Sequence, residues 1–367
     1  MEKILFVAPN LNPGGAEKVL VTIVNNLSKM GFNCSLVLLS EKGKLLSSIN
    51  PEIKVIEVKG KNIFSRLHSL KCIIKDNSPE VVFSIIGHVN IMLSFLKIIY
   101  FREITFIGRE NAVHSIWFKK NKNLKKSLLY CSYKIFLKHL DTIIAQSEFM
   151  KKDINEMFAV KENQISVISN PIDFDSIEEN SNLPLDKSVK WDFDKQHIIS
   201  VGRLETVKDY PRMFNIIKNL SDDYILDVFG EGKEKESLNE LIKRNKLQDK
   251  IILHGYNNNV YRYMKLSNFL ILTSERESFP NVILEANTCG IPALCLEIPG
   301  GIREVISEDE INGKVFADEC DLIDYIAKEK YLHFHSCDIK KYISDNFSLE
   351  AFLKKILVLI KKKERFN

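Results

Sequence analysis

The chain has 367 residues, enough for two domains of ordinary size. Its 45% hydrophobic and 27% charged content is that of a folded globular protein and excludes a disordered or fibrous one. The net charge of +4 hides an asymmetry: residues 1–150 hold 21 Lys/Arg against 11 Asp/Glu, a balance of +10 that leaves −6 for the rest. A basic first half points to an anionic partner there. No zinc spacing or RNA-binding motif accompanies it, so a membrane surface or a phosphorylated acceptor suits it better than nucleic acid. The seven cysteines are scattered and odd in number, which predicts reduced thiols and a cytoplasmic protein. Cys34, Cys289 and Cys295 sit among apolar residues and read as small core residues. No signal peptide fits the start, and the most lipid-like run, 91–101, is too short to span a bilayer.

Residues 1–170 alternate strand and helix patterns. The expected strands are Ile4–Pro9, Cys34–Ser40, Lys54–Lys59, Val81–Gly87, Ile104–Arg109, Thr142–Ser147 and Ile165–Ser169. Such alternation predicts a parallel sheet covered on both faces, with ligands beyond the carboxyl ends of the strands. At the first of those ends, Pro13, Gly14 and Gly15 precede a helix running to about Met30. The turn is either an ordinary strand-to-helix connection or a loop bare enough for a ligand to reach its backbone. It is not the dinucleotide fingerprint. The fourth and fifth ends carry two polar clusters, Gly87-His88-Val89-Asn90 and Gly108-Arg109-Glu110-Asn111, with His114 close behind. A histidine there is either a ligand contact or a hydrogen-bonded structural residue. Arg109 and Glu110 could be a local ion pair. Lys119, Lys120, Lys122, Lys125 and Lys126 then cluster beside Trp117 and Phe118, ahead of a helix pattern over 128–140. That segment is either a solvated surface helix or one that lies on an anionic leaflet, and the charge asymmetry favours the leaflet.

Asn170-Pro171 closes the first series, and residues 173–196 are polar, acidic and without a sustained period, as in a linker. A strand over His197–Val201 follows, then Gly202, Arg203 and Lys208 before a helix from about Pro211. Two cations at a strand end can clamp a diphosphate or be plain surface charges. Strands are expected at Tyr224–Phe229 and Ile251–Leu253, with Tyr256 either stacking on a base or buried. Phe269–Leu272 reads as a buried strand leading into a sharp polar turn. Pro280 suits the first turn of the next helix, which Gly290 stops. Ala293–Leu296 and the Pro299-Gly300-Gly301 turn repeat the arrangement. Two strand-to-helix turns so close together expose backbone N–H groups that suit a phosphate. Glu277 and Glu285, eight positions apart, could bind sugar and ribose hydroxyls, or be a dipole partner and a solvated helix residue. Gly313–Phe316 is a last strand, and 349–363 forms an amphipathic terminal helix.

The Glu-x7-Glu of ESFPNVILE, followed by Ala-x-x-Cys-Gly-x-Pro and then PGGIREVI, closely resembles the donor-site signature of retaining family-four glycosyltransferases of the GT-B fold. The order strand, Gly202-Arg203-Leu204, three residues, Lys208-Asp209, helix resembles that family's diphosphate-binding pair. The resemblance implies an α/β protein of two Rossmann-like domains with parallel sheets facing across a cleft. Residues 1–172 would be the acceptor domain, 173–196 the linker and 197–345 the donor domain, with a helix in 346–367 crossing back to the first domain. It implies Glu277, Arg203 and Lys208 as catalytic residues. The donor would be held by these three with Gly15, Tyr256, Ser278, Phe279, Pro280, Asn281, Val282 and Glu285. The acceptor would meet Gly14, Glu17, His88, Asn90, Arg109, Asn111 and His114, with His88 or His114 near the sugar. No metal or other cofactor is implied. Ser278 and Pro280 stand where many relatives have glycines, as in relatives that build capsular, O-antigen or N-linked oligosaccharides, often from N-acetylhexosamine donors. The expected activity moves a hexose or N-acetylhexosamine from a UDP-sugar to a hydroxyl of a glycan or polyprenyl-linked acceptor, at the cytoplasmic membrane surface. A sugar-nucleotide epimerase of the same fold and a non-catalytic subunit of a transferase pair are the alternatives.

Overall fold

The computed structural model describes residues 2–12, 14–40, 43–119, 124–186 and 189–361, arranged as two compact units. The first unit runs to Asn170 and takes back the chain from Glu350. Its strands are β1 (Lys3–Ala8), β2 (Asn33–Leu38), β3 (Lys54–Glu57), β4 (Val81–Ser84), β5 (Thr105–Arg109), β6 (Thr142–Ala145) and β7 (Ile165–Val167). All pair in parallel, in the order β3-β2-β1-β4-β5-β6-β7. The inner strands are buried along nearly their whole length, which is why they read as unbroken apolar runs. Helix Gly15–Lys29 shows the complementary pattern: it buries Val19, Leu20, Ile23, Val24 and Leu27 on one stripe. The terminal helix Leu349–Ile360 buries Phe352, Leu353, Ile356, Leu359 and Ile360, while Lys362 and Lys363 lie outside the described residues. The strand order turns at β1, so the crevice between the ends of β1 and β4 is the switch point of this sheet.

The second unit spans Pro171–Leu349. It holds β8 (Gln196–Val201), β9 (Tyr224–Phe229), β10 (Ile251–Gly255), β11 (Phe269–Leu272), β12 (Ala293–Leu296) and β13 (Gly313–Phe316). These are again all parallel, in the order β10-β9-β8-β11-β12-β13. Here the order turns at β8, and the switch point lies between the ends of β8 and β11.

Residues 173–196, expected to be a linker, belong to the second unit and carry a helix, Phe174–Ser181, capped by Asp173. Ile177 is buried, Asn259 Nδ2 donates to Asn180 O at 2.8 Å, and Lys340 Nζ donates to Glu178 at 2.8 Å. Eight residues with one well-buried apolar position are too short for a helical period to show. Further along, Trp191 stacks on His197 at 3.8 Å. His197 Nδ1 meets Asp227 Oδ2 at 2.6 Å, its Nε2 meets Asp192 O at 2.6 Å, and His254 Nε2 meets Asp227 Oδ1 at 2.6 Å. The fully buried Asp227 therefore ties together β8, β9 and β10.

All seven cysteines are free, and Cys34, Cys289 and Cys295 are buried as expected. Burial pushes the Cys34 thiol up to about 12, so it is no nucleophile. Among the described residues, no helix is long and apolar enough to cross a membrane.

Candidate active site

The site grows from the two loops that flank the second switch point. After β8 the chain passes Gly202 and Arg203, makes a short 3-10 turn at Thr206–Lys208, and enters helix Tyr210–Lys218. Asp209 sits in the left-handed region at φ 49° and caps that helix. After β11 the chain is stitched to this loop. Thr273 Oγ1 lies within bonding reach of Lys208 O (3.3 Å) and Asp209 O (3.2 Å), and Glu275 N donates to Val207 O at 2.8 Å. These bonds bring Lys208 beside Glu277. Lys208 Nζ donates to Glu277 Oε1 at 2.6 Å, and Ser274 Oγ donates to the same oxygen at 2.8 Å. Both long side chains are largely shielded from solvent.

The second turn closes against the first at Glu277. Glu277 N donates to Pro299 O at 3.2 Å and Gly301 N to Glu277 O at 3.1 Å, a single parallel bridge. Gly300 has φ +131°, and a Cβ there would lie 1.6 Å from Glu277 O. Only glycine permits the approach. Gly230 plays the same part at the end of β9, where a Cβ would lie 1.8 Å from Gly202 O.

Helix Asn281–Thr288 starts without a side-chain cap. Pro280 is the residue before the helix rather than inside its first turn. Phe279 and Pro280 are buried, with the Phe279 ring 6.1 Å from Phe347. Ser278, Asn281, Val282 and Glu285 are half-buried around them. Burial, and then the Glu285 charge, push the pKa of the Tyr261 hydroxyl up. Arg203 is 75% exposed at its side chain and pairs with Glu205 at 3.0 Å. An exposed pair of this kind is worth about 0–1 kcal/mol, so Arg203 can leave it for a stronger anion. Tyr256 follows β10 and is 68% exposed, which leaves its ring open for stacking.

The first unit corrects part of the acceptor set. Asn90, Arg109 and His114 are only 0%, 2% and 2% exposed. Asn90 Nδ2 donates to Arg109 O at 3.0 Å and Glu110 Oε1 at 2.7 Å, and its Oδ1 accepts from Ser84. His114 Nε2 meets Glu110 Oε2 at 2.9 Å and its backbone N donates to Asp153 at 2.6 Å. Arg109 donates to Asn170 and lies 5.8 Å from the Phe352 ring; burial lowers its pKa to about 9. The physical reason is Glu110. A fully buried carboxylate has to be met by donors, and Asn90 and His114 are consumed in doing so. The expected Arg109–Glu110 side-chain pair is not what forms. Gly87 is part of the same lattice, since a Cβ there would lie 1.8 Å from the Tyr133 hydroxyl. Ser84 and Asp153 carry no local signal that singles them out, and Glu110 reads in the sequence only as a neighbour of Arg109. What stays accessible at the β1–β4 switch point is His88, exposed in the first turn of helix Gly87–Tyr100, with Gly14, Gly15 and Glu17. Glu17 folds back over Gly14, where a Cβ would meet its carboxylate at 2.3 Å. Asn111 is half-buried after β5.

The basic segment forms helices His114–Lys119 and Leu124–Phe136, with Lys120 and Lys122 outside the described residues. Lys126 Nζ sits 4.3 Å over the Trp117 ring, and Leu124, Leu128 and Ile135 are exposed. Two Asp-x-Asp pairs, Asp173/Asp175 and Asp192/Asp194, occur in the second unit; Asp173 is spent as a helix cap. Among the described residues no three His, Cys, Asp or Glu side chains are grouped to hold a metal ion.

Two family models match in tandem: Glycosyltransferase Family 4 over residues 13–176 and Glycosyl transferases group 1 over residues 184–330. A Campylobacter jejuni relative is the N-acetylgalactosamine-N,N'-diacetylbacillosaminyl-diphospho-undecaprenol 4-alpha-N-acetylgalactosaminyltransferase. It is 26% identical over 339 residues, 84% of this chain and 85% of that protein. The lipopolysaccharide 1,6-galactosyltransferase of Salmonella typhimurium is 23% identical over 329 residues, 86% of this chain and 85% of its own length. Among solved structures, Anabaena HepE in complex with UDP has the same fold: TM-score 0.79 at 15% identity, covering 98% of this chain and 100% of that one. Matched across both units, with the two glutamates and two cations at the second switch point, the chain belongs to the family-four glycosyltransferases of the GT-B fold.

Proposed function

We propose that the protein transfers a hexose or N-acetylhexosamine from a UDP-sugar, with retention of configuration and without a metal, to a hydroxyl of a lipid-linked glycan in bacterial surface polysaccharide or oligosaccharide assembly. The observation that carries this reading is the Lys208–Glu277–Ser274 cluster at the β8–β11 switch point. The leaving group is a nucleoside diphosphate, so catalysis has to stabilise developing negative charge. Lys208, Arg203 and the uncapped start of helix Asn281–Thr288 supply that stabilisation. Glu277 orients the transferred sugar through its hydroxyls, Glu285 binds the ribose, and Tyr256 stacks on the base. His88 and the Gly14–Gly15 loop of the first unit serve the acceptor. The relatives support the substrate class: one is named for a diphospho-undecaprenol acceptor and another for lipopolysaccharide, and HepE carries UDP. The exposed leucines and lysines of Leu124–Phe136 suit the anionic leaflet on which such acceptors sit.

The test is incubation with a panel of UDP-hexoses and UDP-N-acetylhexosamines together with polyprenyl-diphosphate-linked acceptors. UDP release with a lengthened acceptor is expected. Epimerised donor without transfer would replace this reading with an epimerase, and binding without turnover would replace it with a non-catalytic subunit.

A further inference from the structure

Lys208 has one ammonium group and two anions to serve. It bonds Glu277 Oε1 at 2.6 Å, and on the reading above it also meets the donor's diphosphate. Its stem crosses the bare end of β8, where a Cβ on Gly202 would lie 3.2 Å from Lys208 Cε and 3.6 Å from Nζ. A flexible point charge on such a stem follows the stronger anion, and a diphosphate carries more charge than a carboxylate. When Lys208 turns to the diphosphate, Glu277 loses one of the two donors that hold its carboxylate. Its side chain has several rotatable bonds and would then sample other rotamers.

We propose that Ser274 is a positioning residue that keeps the Glu277 carboxylate aimed at the donor sugar while Lys208 passes between that carboxylate and the diphosphate. The proposal rests on the reading of Glu277 as the sugar contact. Ser274 is fully buried two residues beyond the end of β11, directly after Thr273, whose hydroxyl reaches the Lys208 and Asp209 carbonyls. Its hydroxyl sits on a short side chain with a single torsion to the oxygen, so it is a rigid donor. It bonds the same oxygen that Lys208 uses, at 2.8 Å, which leaves Oε2 for sugar hydroxyls. The two donors are thus unequal in kind: one is mobile and shared, the other fixed and dedicated.

The experiment compares wild type with Ser274→Ala in the full chain. UDP affinity is measured by calorimetry, and slow hydrolysis of the UDP-sugar panel is followed as UDP release, which needs no acceptor. A hydrogen bond to a charged group is worth enough to predict a fall of about 10-fold or more in the hydrolysis rate. UDP affinity should stay within about 2-fold of wild type, because the nucleotide does not touch the carboxylate. An unchanged rate, or a loss of UDP affinity as large as the loss of rate, overturns the proposal. Wild-type protein that binds no UDP overturns the proposed function itself, and that first measurement separates the two failures.

Discussion

Replacing Glu277 by alanine separates the two duties of the second switch point. In the structure Glu277 and Lys208 are joined at 2.6 Å in a largely shielded setting. On the proposed function, removing the carboxylate deletes its hydrogen bonds to sugar hydroxyls; two such charge-assisted bonds are worth about 1.5–3 kcal/mol each. The transition state for transfer is therefore expected to lose about 3–6 kcal/mol, or roughly 10²–10⁴ in rate. The same change frees Lys208 from its partner. UDP should bind at least as tightly as to wild type, since the ammonium no longer has to leave a carboxylate to meet the diphosphate. Folding should survive, because a lysine with 20% of its side chain exposed can rehydrate; a cost of about 1 kcal/mol corresponds to a shift of roughly 2–4 °C for a unit the size of Pro171–Leu349. The assays are UDP release with acceptor, calorimetry with UDP and thermal melting. Near-normal turnover, or UDP affinity that collapses along with turnover, would refute the assignment of sugar to Glu277 and diphosphate to Lys208.

Gly300→Ala should lower both UDP binding and the melting temperature, because the new Cβ would lie 1.6 Å from Glu277 O at φ +131° and has to break the bridge between the two turns. Binding and melting equal to wild type would contradict that role. Stability should also fall as pH rises through the pKa of His197. Burial alone lowers that pKa, but the bonds to Asp227 and Asp192 O and the charges of both carboxylates outweigh it, so the net shift is upward. A raised folded-state value places the stabilisation fully below about pH 6.5, the unfolded value, and removes it above the folded value. Melting temperatures of wild type and His197→Gln across pH 6–9 should converge toward the alkaline end; parallel curves would exclude a charged His197. Changing Lys119, Lys125 and Lys126 to Gln should weaken co-sedimentation with anionic vesicles by roughly 100-fold at low salt, at about 1 kcal/mol per lysine near the surface, and leave binding to neutral vesicles unaltered. Equal partition of the variant and wild type would count against the leaflet as partner.

Much of this protein is written locally in its chain. Buried parallel strands need unbroken apolar runs, so Phe269–Leu272 and Ala293–Leu296 are legible to the residue. The two strand-to-helix turns of the second unit are legible for a related reason: glycine and proline mark such corners in the chain. Strand order is not local. That β8 lies between β9 and β11, and so brings Lys208 onto Glu277 across 69 positions, is decided when the sheet assembles. The same holds for polar residues whose partners come from elsewhere in the fold. Asn90, Arg109 and His114 look like a ligand-facing cluster until Glu110 is buried among them and takes up Asn90 and His114, while Arg109 turns to Asn170. Ser274 is one more small polar residue in a turn until Glu277 folds back onto it. The helix Phe174–Ser181 is too short to show a period and exists because Ile177 and Asn180 find partners contributed by other parts of the second unit. Periodicity and turn chemistry depend on neighbours within a few residues, whereas burial and hydrogen-bond partnership depend on chain segments that only the packed fold brings together.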